Sequence, residues 1–172
     1  MQWRQTVDTG MGYQVKTLGV DQSYTSTGWC LNHNGNIVHF STIKTTGEDM
    51  YNRAITVADT IVALVKTHKV DVVNCEQLAY GMTGNATRDL AGLLFVIVTT
   101  LKRECPTVKV NLVSPTTLKK MATGSGKATK KDVIASVPDP ILTQFKSCGF
   151  KVTTGLADLC DAYWLSKSLG AQ

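Results

Sequence analysis

Apolar and polar positions along the chain change their period several times, and each change marks an element. Val15 to Asp21 is an apolar run of strand length that ends on a carboxylate. Thr25 to Asn32 and Asn36 to Ile43 predict two more strands. Asn34-Gly35 joins them, a dipeptide suited to a tight hairpin because both residues tolerate positive φ. From Glu48 to Lys66 the period becomes helical, with Tyr51, Ala54, Ile55, Ala58, Ile61, Val62 and Val65 on one stripe. Val70 to Glu76 (VDVVNCE) is rich in β-branched residues and predicts a buried strand that again closes on a carboxylate. A loop from Gln77 to Gly84 follows, and Asn85 is the expected cap of a long helix to about Lys102. Val108 to Val113 predicts a fifth strand, and Ser114-Pro115 begins a short helix. Ala122 to Lys127 (ATGSGK) is a break, and Thr129 caps a helix to Val137 that Pro138 and Pro140 stop. Leu156 to Leu169 predicts a last helix, closed by Gly170.

Three hairpin-linked strands followed by alternating helices and strands predict an α/β fold with a mixed sheet and helices on both faces. Residues 1–14 show no useful period and are read as an N-terminal arm, and 15–172 as a single domain. The longest apolar run, Leu90 to Val98, falls well short of the ~20 residues that cross a bilayer. The polar N-terminus carries no apolar signal-peptide core, so the expected location is the cytoplasm. Cys30, Cys75, Cys105, Cys148 and Cys160 are odd in number and scattered, with no C-x-x-C, which argues against a disulfide framework and a thiolate zinc site. His33, His39 and His68 lack metal-ligand spacing, so any metal would be held by oxygen. The formal charge of +5 is partly concentrated in Lys119, Lys120, Lys127, Lys130 and Lys131. Such a cluster is either a solvated face or a seat for a polyanion.

The chemistry sits in the acids. Within DLCDAYWLSKSLG, helical spacing puts Asp158 and Asp161 on one face with Ala162, Leu165 and Leu169, where a packing stripe would want leucine. Two carboxylates so close in low dielectric repel each other, and a divalent cation removes the conflict. Asp21 and Glu76, each ending a strand, can join them, giving an all-oxygen set suited to Mg²⁺ or Mn²⁺. Paired ions of this kind activate a water and stabilise the leaving oxygen of a phosphodiester. Each acid also has a plain structural reading: a helix cap for Asp158, a lysine partner for Asp161, a turn for Asp21 and a strand end for Glu76. The four together, beside a lysine cluster, favour the chemical one.

Asp21 in LGVDQSYTSTGW, Glu76 in VNCEQLAYG, the segment VSPTTLKKMATGSGKATKKDV and the terminal DLCDA, taken in this order, resemble the signature regions of RuvC-type Holliday junction resolvases. The likeness covers roughly residues 15–170, and the compact chain with its arm is most similar to phage-encoded members. It implies a ribonuclease H-like five-stranded sheet, three antiparallel strands and then parallel ones. It also implies a homodimer that nicks opposed strands of a four-way DNA junction, leaving 5′-phosphate and 3′-hydroxyl ends. Asp21, Glu76, Asp158 and Asp161 become the metal-binding carboxylates, with two Mg²⁺ ions expected and Mn²⁺ able to substitute. The family's catalytic lysine maps to Lys130, with Lys127 as the alternative. Lys119, Lys120, Lys127 and Lys131 are expected to touch DNA. Where the family often carries an aromatic residue this chain has Ala79, with Tyr80 next as the candidate DNA contact. Three alternatives stay open: a related nuclease cutting RNA–DNA hybrid or RNA, an actin-like phosphotransferase, and a non-catalytic binder of branched DNA.

Overall fold

The computed structural model describes residues 14–79, 81 and 83–168. Residues 1–13 of the expected arm, together with Tyr80, Leu169 and Gly170, lie outside the described residues. The chain runs β1 (Lys16–Asp21), β2 (Ser26–His33), β3 (Asn36–Lys44), α1 (Met50–His68), β4 (Val72–Glu76), α2 (Asn85–Glu104) and β5 (Lys109–Val113). Then follow α3 (Pro115–Thr123), α4 (Lys130–Ala135), α5 (Asp139–Ser147), a 3₁₀ turn (Val152–Thr154) and α6 (Leu156–Lys167). The strands form one sheet in the order β3-β2-β1-β4-β5. β1, β2 and β3 pair antiparallel, while β4 and β5 join parallel to β1. The mixed five-stranded sheet flanked by helices is therefore present, and Asn34 and Gly35 make the hairpin turn with φ of 52° and 88°.

Strand alternation divides the chemistry of the sheet into two faces. Leu18, Val20, Leu31, Val73 and Cys75 face α1 and α2 and make the main core with Val57, Ile61, Leu93 and Ile97. The other face carries Gly19, Asp21, Asn74 and Glu76, and α6 lies across it. α6 buries Leu156, Ala157, Leu159, Cys160, Ala162, Tyr163, Leu165 and Ser166, so it is enclosed on nearly every side. α1 starts at Asp49, whose side chain accepts from the Tyr51 and Asn52 amides, and ends at left-handed Lys69.

Three local expectations are corrected. Asn85 is not the cap of α2; Gly84 occupies that position with φ 122° and no side-chain cap bond. α4 ends at Ala135, two residues before the expected Val137. Pro138 and Pro140 do not simply stop a helix. They open α5, because the first helical turn has unpaired N–H groups that proline does not need to supply. α5 then buries Phe145, edge-on to Phe40 of β3 at 4.6 Å between ring centres.

Candidate active site

Two residues short of its end, β1 is in register with β4 through Gly19 and Asn74, and Val20 then faces Cys75. Asp21 and Glu76 come next on their parallel strands and so finish side by side. On the other flank of β1, Asp21 pairs with Gly28. A Cβ on Gly28 would stand 2.4 Å from the Asp158 carbonyl oxygen, and one on Gly19 would stand 2.1 Å from the Ala162 carbonyl. No side chain fits at either place. The two glycines let α6 lie directly on the β-strand backbones, which brings Asp158 and Asp161 to Asp21 and Glu76. Glycine inside a strand is the sequence signal for such an approach, and Gly19 and Gly28 both carry it.

The turn after Asp21 is braced by its own hydroxyls. Ser23 Oγ accepts from the amides of Thr25 and Ser26 at 3.2 and 3.3 Å, and Thr27 Oγ1 donates to the Ser23 carbonyl at 2.7 Å. The hydroxyl-rich stretch is thus a compact hydrogen-bonded corner with small side chains beside the acids. Gln22 ties the two strand ends together, its Nε2 donating to the Glu76 carbonyl at 2.6 Å.

The electrostatics report the crowding. Burial first, and then the charges of Asp161, Glu76 and Asp158, hold the Asp21 carboxyl well above the usual range, against the pull of Lys130. Glu76 is raised by burial, partly offset by hydrogen bonding with Asp21 and by Lys130 and Lys119. Asp161 is pushed up to about 6, chiefly by burial and then by Glu76 and Asp158, with Lys130 and Lys119 opposing. Lys130 stands at the start of α4, where Thr129 and Asp132 form a capping box. Its ammonium lies 4.0 Å from Asp158 Oδ1 and 3.8 Å from Asp161 Oδ2. Burial alone would lower its pKa, and the four acids outweigh burial and raise it.

Among the described residues no three acid, histidine or cysteine side chains close into a ready-made metal cage. The site nonetheless suits a divalent cation. Its donors are oxygens alone, the carboxylates disfavour one another's ionisation, and a cation already occupies the space between Asp158 and Asp161 in the form of Lys130.

The remaining lysines separate. Lys119, on α3, is close enough for its charge to act on Glu76 and Asp161, a placement that spacing alone did not show. Lys120 and Lys131 are exposed on α3 and α4. Lys127 lies on the loop between them, at a shallow cavity of about 640 Å³ shared with Thr123, Ser125 and Asp132. Among the described residues the ion pairs to the acids come from Lys130 and none from Lys127.

A family model described as crossover junction endodeoxyribonuclease RuvC matches residues 17–152. The chain belongs to the RuvC family. The match stops short of Asp158 and Asp161, whose place beside Asp21 is evident from the fold. Similar solved structures include Thermus thermophilus RuvC, at 15% identity and a TM-score of 0.65 over 88% of this chain and 91% of that one. A T. thermophilus RuvC in complex with a Holliday junction substrate aligns at 17% identity and 0.68, covering 88% and 90%. The yeast mitochondrial Holliday junction resolvase aligns at 16% and 0.59, covering 88% and 76%. At these identities the likeness bears on the fold, and the sheet and helices seen here are the RuvC, ribonuclease H-like arrangement. No curated protein matches the chain. Its enzyme class is therefore crossover junction endodeoxyribonuclease, a metal-dependent DNA-cutting activity.

Proposed function

We propose that this RuvC-family chain resolves four-way and other branched DNA junctions by paired nicks that leave 5′-phosphate and 3′-hydroxyl ends. The observation that carries the reading is the convergence of Asp21, Glu76, Asp158 and Asp161, from two strand ends and one helix, around the Lys130 ammonium. Asp21, Glu76, Asp158 and Asp161 would hold two Mg²⁺ ions, with Mn²⁺ able to replace them. When bound, these ions supply a nucleophilic water and a charge on the leaving oxygen. The protein's own part is orientation. Gly19 and Gly28 seat α6, Gln22 fixes the strand ends, and Lys130 offers a cation to charge that grows on the scissile phosphate in the transition state. Lys119, Lys120, Lys127 and Lys131 extend the positive surface on which phosphates lie, so binding weakens as salt rises. Tyr80 follows the β4 strand end in sequence and is assigned to the same DNA surface.

Two opposed strands require two sites related by a two-fold axis, which implies a homodimer. The apolar run Leu90 to Val98 of α2 is longer than one packing face needs: Leu93, Leu94 and Ile97 are consumed by the core, while Phe95 is left 70% exposed beside Tyr51 at 85% and Ile55 at 50% on α1. We assign this face to the second copy, with the nuclease domain taken as residues 15–172 behind the arm at 1–14. No described helix is long and apolar enough to cross a membrane. The work of the enzyme lies with DNA in the cytoplasm.

The test is cleavage of labelled four-way junction, linear duplex and RNA–DNA hybrid by purified protein in Mg²⁺. Paired symmetric nicks on the junction alone support the reading. Equal cutting of linear duplex, or preference for the hybrid, overturns it.

A further inference from the structure

Asn74 is completely buried in β4, two residues before Glu76 and on the same face of the sheet. An amide in that place is costly unless all its hydrogen-bonding groups are used. Its Nδ2 donates to the Leu165 carbonyl at 2.8 Å and to the Ser168 carbonyl at 2.6 Å, at the C-terminal end of α6. Its Oδ1 accepts from Asn111 Nδ2 of β5 at 2.9 Å, which fixes which way the amide points.

The spacing gives this clamp a consequence. From Asn74 to Glu76 the strand advances by roughly 6.6 Å, two residues at about 3.3 Å each. From Leu165 back to Asp161 the helix advances by roughly 6 Å, four residues at about 1.5 Å each. Seating Leu165 on Asn74 therefore seats Asp161 at the level of Glu76. Gly19, the register partner of Asn74 in β1, reinforces the same row, because α6 touches its backbone at Ala162, Leu165 and Ser166. The sheet face thus carries two rows against α6. Gly19, Asn74 and Asn111 form a docking row, and Gly28, Asp21 and Glu76 form the row that meets Asp158 and Asp161.

We infer that Asn74 is a positioning residue, which sets the axial position of α6 and so the fit of the four carboxylates around their metal, with Asn111 holding Asn74 in the productive orientation. This rests on the assignment of Asp21, Glu76, Asp158 and Asp161 as metal ligands. A buried amide that served stability alone would change the melting temperature and leave metal affinity in the folded protein untouched.

The experiment titrates Mn²⁺ calorimetrically, without DNA, into wild type, Asn74→Asp, Asn111→Ala and Asp158→Asn, each checked for a folded far-ultraviolet spectrum and cooperative melting. Asn74→Asp keeps the size and the acceptor but can donate to at most one of the two carbonyls, and only as the neutral acid, so its Mn²⁺ affinity should fall by about tenfold. Asn111→Ala frees the amide to turn, and a loss of roughly threefold is expected. Excess Mn²⁺ should then restore part of the cleavage rate in both. Wild-type affinity in folded Asn111→Ala, with the same result for Asn74→Asp where it folds, overturns the inference. A wild type that binds no Mn²⁺, or an Asp158→Asn variant that binds as well as wild type, overturns the ligand assignment itself and the inference with it.

Discussion

Replacing Asp161 with asparagine should make the metal-free protein more stable while destroying its use of metal. The reason is that Asp161 titrates near 6 in the folded protein against an ordinary value of 3.8, with burial as the main cause. The sign follows from which form the fold prefers. A carboxyl with a raised folded pKa stabilises the folded state as the neutral acid, so stability is lost as pH rises from about 4 through about 6. Above that window the ionised group opposes folding by about 3 kcal/mol, at about 1.36 kcal/mol per pKa unit. The attraction of Lys130 is already contained in that figure, since it is one of the influences on the carboxyl. Asparagine keeps the shape without the charge. For a chain of this size about 3 kcal/mol corresponds to roughly 6–12 °C in Tm.

The assay is calorimetric melting of wild type and Asp161→Asn in EDTA and in excess Mg²⁺, near pH 7.5 and again near pH 4.5. In EDTA near pH 7.5 the variant should melt higher by that margin. Near pH 4.5 the difference should shrink to about 1 kcal/mol, because the unfolded carboxyl is then becoming protonated too. Mg²⁺ should raise the wild-type Tm far more than the variant's, closing the gap by linkage. An Asp161→Asn protein that melts at or below wild type in EDTA near pH 7.5, or a gap indifferent to pH, would refute the account of the crowded acids.

Three other outcomes follow from the same geometry. Gly28→Ala and Gly19→Ala should each cost about 1–3 kcal/mol through overpacking, measured by denaturant melts. Gly28→Ala, which presses on Asp158 itself, should also slow single-turnover cleavage by about 10²-fold at saturating Mg²⁺, a loss comparable to disturbing one transition-state contact. Lys130→Ala should lower the single-turnover rate by about 10²-fold with junction affinity in Ca²⁺ within about twofold of wild type, and proportional loss of both would reduce it to an electrostatic contact. Phe95→Asp should convert the dimer to monomer in light scattering while leaving the fold cooperative, because Phe95 lies outside the core; an unchanged mass would place the interface elsewhere.

Much of the architecture was legible because each strand and helix carries its own period and its own terminus. Asn34-Gly35 announced the hairpin, Thr129 capped its helix, and the β-branched VDVVNCE run became β4. α5 is hidden in the sequence because Pro138 and Pro140 look like terminators, although proline in a first turn starts a helix as readily as it ends one. Asn85 looks like a cap because its side chain suits one, yet the backbone at Gly84 (φ 122°) turns where no ordinary residue would. Of the site, the acids were readable as carboxylates out of place in apolar surroundings. Spacing from Gly124 favours Lys130 over Lys127, but the loop from Gly124 to Thr129 decides which ammonium reaches α6, and its course is set by tertiary packing.

The deeper reason the acids could be read and their supports could not is that a charge is conspicuous in an apolar run, whereas the device that places it is a missing side chain or a spent amide. Gly19 and Gly28 act by what they lack, and Asn74 acts through carbonyls ninety residues away in sequence, at Leu165 and Ser168. A glycine inside a strand signals a close approach without saying what approaches, and a buried amide has no local signature at all. Both become visible only when the helix that packs on them is in place. That helix carries Asp158 and Asp161 toward Asp21 and Glu76, where burial first and the neighbouring acids second raise the Asp21 and Asp161 carboxyls. A fold that relied on those acids for its own cohesion would pair each of them closely with a cation, whereas among the described residues Lys130 is the ammonium within ion-pair distance, and it reaches Asp158 and Asp161. The cohesion comes instead from the apolar burial of α6, its backbone contact at the glycines and the Asn74 clamp, so the acids are not needed to hold the helix in place.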